Sequence, residues 1–205
     1  TDAIKKTYLQ LRGGINYNCS EGSNRKVNFG NPIQVGGEGQ FVVGSEFTPV
    51  WGWRAGIGYA YNSTLTPYPI EAIPGWIEAD AFNSVEVFAG ITLDWLDINY
   101  KTRKNHNWDF YSYLDFGYYL ALRKSDPTPY GGPQGDPYYL DKIQPTHNFG
   151  MRGGMHVSRF LTKRFAIGLD GNILLVTDKF AGWKIDFPFD IRGALGVCFT
   201  WIVGK

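Results

Sequence analysis

From Thr7 onward, apolar and polar residues alternate with period two. This is the signature of β-strands with one apolar and one polar face. Thr7–Tyr17 sets Leu9, Leu11, Gly13, Ile15 and Tyr17 against Gln10, Arg12, Gly14 and Asn16. Gln40–Phe47 sets Phe41, Val43, Ser45 and Phe47 against Val42, Gly44 and Glu46. Trp51–Asn62 is the clearest run, with Trp51, Trp53, Ala55, Ile57, Tyr59 and Tyr61 opposite Arg54, Gly56, Gly58 and Ala60. Five more follow, over Ser84–Trp95, Trp108–Arg123, His147–Ser158, Phe165–Leu175 and Phe187–Val203. Strands of about ten residues exceed the usual 5–6. They match the 9–11 that a membrane-crossing strand needs.

The connections alternate in length. Residues 18–39, 63–83, 124–145 and 176–186 are long; 48–50 and 159–164 are short, and 96–107 is close in length to the shortest of the long ones. Long loops at one end and short turns at the other mark an up-and-down membrane barrel. The prediction is an all-β fold: an eight-stranded antiparallel transmembrane β-barrel occupying residues 1–205 as one domain. The termini then fall on the short-turn, periplasmic side.

Which face points inward decides between a soluble and a membrane barrel. The polar faces collect Arg12, Glu46, Arg54, Glu86, Asp94, Asp109, Asp115, Arg123, Arg152, Asp170, Asp190 and Arg192, whereas the apolar faces named carry no full charge. Charges of both signs pair in a lumen, but an Arg or Lys at the lipid midplane costs about 2–4 kcal/mol. Small residues such as Gly14, Gly44, Gly56, Gly90, Gly154 and Gly196 accompany them. On the apolar face, Trp51, Trp53, Trp95, Trp108 and Trp201 gather at the short-turn end, and Tyr17, Tyr59, Tyr61, Phe187 and Phe189 near the long loops. Two belts separated by aliphatic residues are expected at the two membrane interfaces.

Composition then narrows the class. The 205 residues are 17% aromatic and 19% charged, with 26 glycines, a net charge of +1 and 43% hydrophobic residues. Mean hydropathy is −0.25. No run approaches the roughly 18 apolar residues of a spanning helix. A near-neutral chain exerts no strong pull on nucleic acid.

Three stretches carry a resemblance. FVVGSEFTPVWGWRAGIGYAYN (Phe41–Asn62) resembles the second hairpin of OmpA-like outer-membrane barrels of the Bacteroidetes type, and NSVEVFAGITLDWLDINYKTRKNHNWDFYSYLDFGYYLALR (Asn83–Arg123) resembles a further unit. SRFLTKRFAIGLDGNI (Ser158–Ile173) is similar to the family's sixth-to-seventh strand turn. The resemblance implies an integral outer-membrane barrel of a Gram-negative bacterium, exported by a cleaved signal peptide and folded by the barrel-assembly machinery. The chain departs from the family pattern in the tail that follows Phe199 and Trp201, and in lacking a peptidoglycan-binding domain after the barrel.

The inward charges read as a structural ion-pair network, because an eight-stranded interior is filled by side chains. Within it, Glu46 and Arg54 are expected to pair, being offset equally about Val50. His156 and Ser158 share a face, and some lipid A deacylases resemble this His-x-Ser arrangement; the pair sits far from the outer leaflet, so no catalytic residue is assigned. His106, His147 and His156 lie on separate elements, which points to no metal and no cofactor. Asp126, Asp136 and Asp141 read as solvated loop acids, and Gly36–Gly39 precede a strand rather than cradle a phosphate. Cys19 and Cys198 are expected as free thiols at different heights. Trp76, Tyr130, Tyr138 and Tyr139 in the long loops are candidate contacts for a glycan or protein. The expected role is structural or interactive and non-enzymatic, with outer-membrane lipid, lipopolysaccharide and other outer-membrane proteins as partners and no nucleic acid. A subunit of a larger outer-membrane complex (for barrel assembly, secretion or nutrient uptake) is the main alternative; small outward positions (Gly13, Ala55, Ala89, Gly153, Gly171, Gly193) permit close packing. A lipid A-modifying hydrolase is a remote one.

Overall fold

The computed structural model describes residues 6–19, 34–64, 68–69, 76–96, 98, 107–129, 144–177 and 189–204. Eight long strands form the barrel: β1 (Thr7–Cys19), β2 (Gln34–Glu46), β3 (Trp51–Thr64), β4 (Trp76–Asp94), β5 (Trp108–Pro129), β6 (Gln144–Phe160), β7 (Phe165–Thr177) and β8 (Phe189–Gly204). Each pairs antiparallel with the next, and β8 returns to β1, with Arg12 opposite Cys198. Closure leaves no unpaired edge, the condition for a sheet to sit in lipid. A two-residue strand, Tyr68–Pro69, adds to β4 at Glu78 and Ile77. Among the described residues there is no helix.

The alternation holds through the barrel. Leu11, Ile15, Phe41, Ile57, Val87, Ile91, Phe116, Met155, Leu169, Ile173, Leu195 and Val197 are exposed on the outer wall. Gln10, Arg12, Asn16, Arg54, Glu86, Asp115, Arg152 and Asp170 are buried inside. A soluble barrel would invert this.

Several strands run beyond their predicted ends. β2 starts at Gln34, so Gly36–Gly39 lie within the strand, paired with Asn62–Tyr59 of β3. β4 and β5 continue together to the pair Trp76 and Pro129, which turns predicted loop into ladder and places Asp126 in a strand. Gly-rich and Pro-rich sequence hid these extensions, since both residues weaken strand propensity. The long connections shrink to 20–33, 65–75, 130–143 and 178–188. Phe47 and Trp95 lie just past their strands.

Two of the short turns share one construction. In Phe47–Trp51, the Phe47 and Thr48 amides donate to the Trp51 carbonyl, and the Thr48 hydroxyl accepts from the Trp51 amide at 2.9 Å. In Leu161–Phe165 the same roles fall to Leu161, Thr162 and Phe165, with Thr162 Oγ1 accepting from the Phe165 amide at 3.0 Å. A threonine in second place supplies the acceptor that the turn backbone lacks.

Candidate functional site in the barrel lumen

Four arginines and four carboxylates meet inside the barrel. Arg12 on β1 reaches Glu38 on β2 at 2.6 Å and Asp170 on β7 at 3.0 Å. Arg54 on β3 lies 3.3 Å from Asp115 on β5. Arg152 on β6 and Arg192 on β8 both pair with Glu86 on β4, and Arg192 lies 3.7 Å from Glu38. Every one of the eight strands contributes to a pair: one chain of contacts links β1, β2, β4, β6, β7 and β8, and the Arg54–Asp115 pair joins β3 to β5. Aromatic rings complete the packing: the Arg54 guanidinium lies 3.8 Å from the Tyr113 ring centre, and that of Arg152 4.9 Å from Phe88. Such stacking suits the weakly hydrated, planar guanidinium.

Glycine makes room for the rings. A Cβ on Gly44 would stand 2.4 Å from the Tyr8 ring, and one on Gly154 2.4 Å from the Tyr113 ring. One on Gly90 would meet Asp115 Oδ1 at 2.5 Å.

The expected Glu46–Arg54 pair does not form. The register sets Glu46 opposite Gly52 and Arg54 opposite Gly44, so the hairpin is centred on Pro49 rather than Val50. Glu46 instead takes Lys6, 3.3 Å away, at the short-turn mouth of the barrel. Asp94 and Asp109 line the same mouth with Tyr111 and Thr92. Burial opposes the charge on Lys6, but Asp109, Glu46 and Asp94 outweigh it and raise the Lys6 pKa above its ordinary value. The Asp94 carboxylate also accepts from the Leu96 amide at 2.9 Å. Glu46, Asp94 and Asp109 thus form a rim cluster, separate from the central network.

Glu38, which sequence reasoning left out, belongs to that network. It shares parity with Gln40, Val42 and Gly44, but the surrounding glycines read as loop. The side chains of Arg123 and Asp190 are outside the described residues, although the residues fall in β5 and β8. On the wall, Trp51, Trp53, Trp95, Trp108 and Trp201 are exposed at the short-turn end, and Tyr17, Tyr59 and Tyr61 at the other. Phe187, Tyr130, Tyr138 and Tyr139 lie outside the described residues, as do the side chains of Phe189 and Trp76.

One part of the lumen brings a histidine, an aspartate and a cysteine together. His156 on β6 is opposite Asp170 on β7, while Ser158 and Cys198 flank Gly168 in the next row. The His156, Asp170 and Cys198 donor atoms lie within 4.8 Å of one another, and all three residues are buried. The His156 ring stacks on Tyr111, centres 4.6 Å apart. Its two nitrogens and the Ser158 hydroxyl are buried without hydrogen-bond partners. A serine nucleophile needs its base within hydrogen-bond reach. The His156–Ser158 pair does not make that bond, and both residues face the lumen rather than lipid.

No family model matches the chain, and no curated protein sequence matches it. Solved structures do. The chain is similar to a major outer membrane protein from Thermus thermophilus, with 12% identity, 97% of this chain and 100% of that chain covered, and a TM-score of 0.50. It is also similar to Neisserial surface protein A (13%, 96% and 96%, 0.49) and to the outer membrane protein OprG from Pseudomonas aeruginosa (9%, 98% and 99%, 0.47). At such identities the likeness is one of fold: a closed, eight-stranded, antiparallel outer-membrane β-barrel.

Proposed function

We propose that the chain is an integral outer-membrane barrel of a Gram-negative bacterium, with periplasmic termini and a non-enzymatic structural or interaction role. The carrying observation is the filled lumen. The Arg12, Arg54, Arg152, Asp115 and Asp170 side chains are fully buried, with Arg12 paired to Asp170, Arg54 to Asp115 and Arg152 to Glu86. An interior packed this way serves as a rigid plug rather than a wide solute path. Work is then left to the outer wall, in contact with outer-membrane lipid and lipopolysaccharide, and to the long-loop end, where Trp76 begins β4 and the connections carry Tyr130, Tyr138 and Tyr139. The tryptophans and tyrosines at the two ends of the wall act as interfacial anchors.

A second reading, a subunit of a larger outer-membrane assembly, is favoured by one feature of the wall. Gly153 and Gly193 flank Ile173 in a single row, and a Cβ on either glycine would meet nothing within 4 Å. The wall is low on either side of the exposed Ile173, which permits close approach of a neighbour. Affinity purification after gentle detergent extraction tests both readings. Recovery of the chain alone from the membrane fraction supports a free barrel, and a stoichiometric membrane partner supports the subunit. Recovery in the soluble fraction without detergent would overturn both.

A further inference from the structure

Beside the central arginines and carboxylates, His156, Ser158 and Cys198 gather around Asp170 as a second kind of polar cluster. Neither His156 nitrogen, nor Ser158 Oγ, nor Asp170 Oδ2 has a hydrogen-bond partner, although all are buried. Other lumen atoms, on Arg54 and Asp115 among others, are unpartnered too. What sets this group apart is that an imidazole, a carboxylate and a thiol each bring a donor atom within 4.8 Å of the other two. The rest of Asp170 is well held: Oδ1 accepts from Tyr113 Oη at 2.7 Å and Asn172 Nδ2 at 3.4 Å, and lies 3.0 Å from Arg12 Nε. The carboxylate is thereby fixed with its free oxygen turned toward His156, 3.7 Å from Nδ1. Cys198 adds a buried free thiol. Gly168 lets Ser158 pack close beside the cluster: a Cβ there would come within 2.4 Å of the Val157 carbonyl and 2.5 Å of Ser158 Cβ.

We infer that His156, Asp170 and Cys198 bind one transition-metal ion, of which Zn²⁺ best suits the donors, with Ser158 beside the fourth position. Imidazole, carboxylate and thiolate are the three ligand types Zn²⁺ takes together. Bond lengths of about 2.0–2.3 Å at tetrahedral angles put donor atoms roughly 3.3–3.8 Å apart. The His156–Asp170 separation of 3.7 Å falls in this range, and the Cys198 thiol lies within 4.8 Å of both donor atoms. Tyr113 and Arg12 on Asp170, and Tyr111 against the His156 ring, provide the outer support that orients metal ligands. On binding, the thiol gives up its proton to solvent as the sulfur–metal bond forms, with no change of oxidation state.

The site is buried, so loading belongs to folding. The full chain is refolded into detergent with Zn²⁺ or Co²⁺, cleared of loose metal and assayed on folded protein, identified by its heat-modifiable electrophoretic mobility. The expected result is about one ion per chain. Co²⁺ gives a thiolate-to-cobalt charge-transfer band that survives Cys19→Ser and disappears with Cys198→Ser. His156→Gln lowers retained metal about ten-fold or more. Folded wild-type chain that retains no metal, or that retains it without a thiolate band, overturns the inference, and neither result depends on a variant folding. A band that persists in folded Cys198→Ser overturns it equally.

Discussion

Gly153 and Gly154 are neighbours in β6 and lie in different surroundings. A Cβ on Gly153 would enter open space on the outer wall, whereas one on Gly154 would strike the Tyr113 ring. The same residue is therefore spare on one side of the sheet and required on the other. Outside, the wall needs only an apolar surface, and many side chains satisfy that. Inside, rings, guanidinium groups and carboxylates fill a narrow space, and each position is constrained by volume and charge together. Substitutions that separate the two faces should differ more in effect than in chemistry.

The largest effect belongs to the charges. Arg54→Met removes the partner 3.3 Å from the buried Asp115. A carboxylate left unpaired in such a place costs about 3–5 kcal/mol. Urea unfolding in lipid vesicles, followed by tryptophan fluorescence, should register that loss. Adding Asp115→Leu to Arg54→Met should recover most of it, because a buried pair replaced by apolar groups is often nearly neutral. A double variant as unstable as the single one would mean that the arginine contributes packing rather than charge balance.

Gly154→Ala comes next. The new methyl displaces Tyr113, which stacks on Arg54 and donates to Asp170. Overpacking of this kind costs about 1–3 kcal/mol by the same unfolding measurement. Lys6→Ala should cost less than about 1 kcal/mol, since its pair with Glu46 lies at the partly exposed mouth. An effect there as large as at Arg54 would erase the distinction between rim and centre.

The barrel was legible because its cause is local. A strand in a barrel wall shows its two environments in every pair of residues, so the faces of Trp51–Asn62 or Phe165–Leu175 could be read directly. The inward position of Arg12, Arg54, Glu86, Asp115, Arg152 and Asp170 followed from parity alone. Pairing did not, because it depends on register, and register depends on where each turn is centred. A centre at Pro49 instead of Val50 moved Arg54 away from Glu46. Glu38 was missed for another reason: glycines on either side erased the alternation that would have extended β2. The cluster of His156, Asp170 and Cys198 was the least legible feature. Its members come from three strands, and a search for several histidines passes over a site that uses one. The retrievable signal was parity plus hairpin register, which sets His156 against Asp170 across the Leu161–Phe165 turn.

The smallest expected effect is the most informative about the wall. Gly153→Leu adds an apolar side chain to an apolar surface and meets no neighbour within the barrel. For the isolated protein in vesicles, the change in unfolding free energy should stay within about 0.5 kcal/mol of zero. In the membrane, the outcome depends on what faces the row of Gly153, Ile173 and Gly193. A free barrel exchanges one lipid contact for another, and its extraction and purification are unaltered. A subunit that seats a partner against that row loses the close approach that glycine allows, and the partner is lost from the purified material. Destabilisation by Gly153→Leu as large as that by Gly154→Ala, in the isolated barrel, would show that the wall is packed as tightly as the lumen. The contrast between the two faces would then fail where it is sharpest.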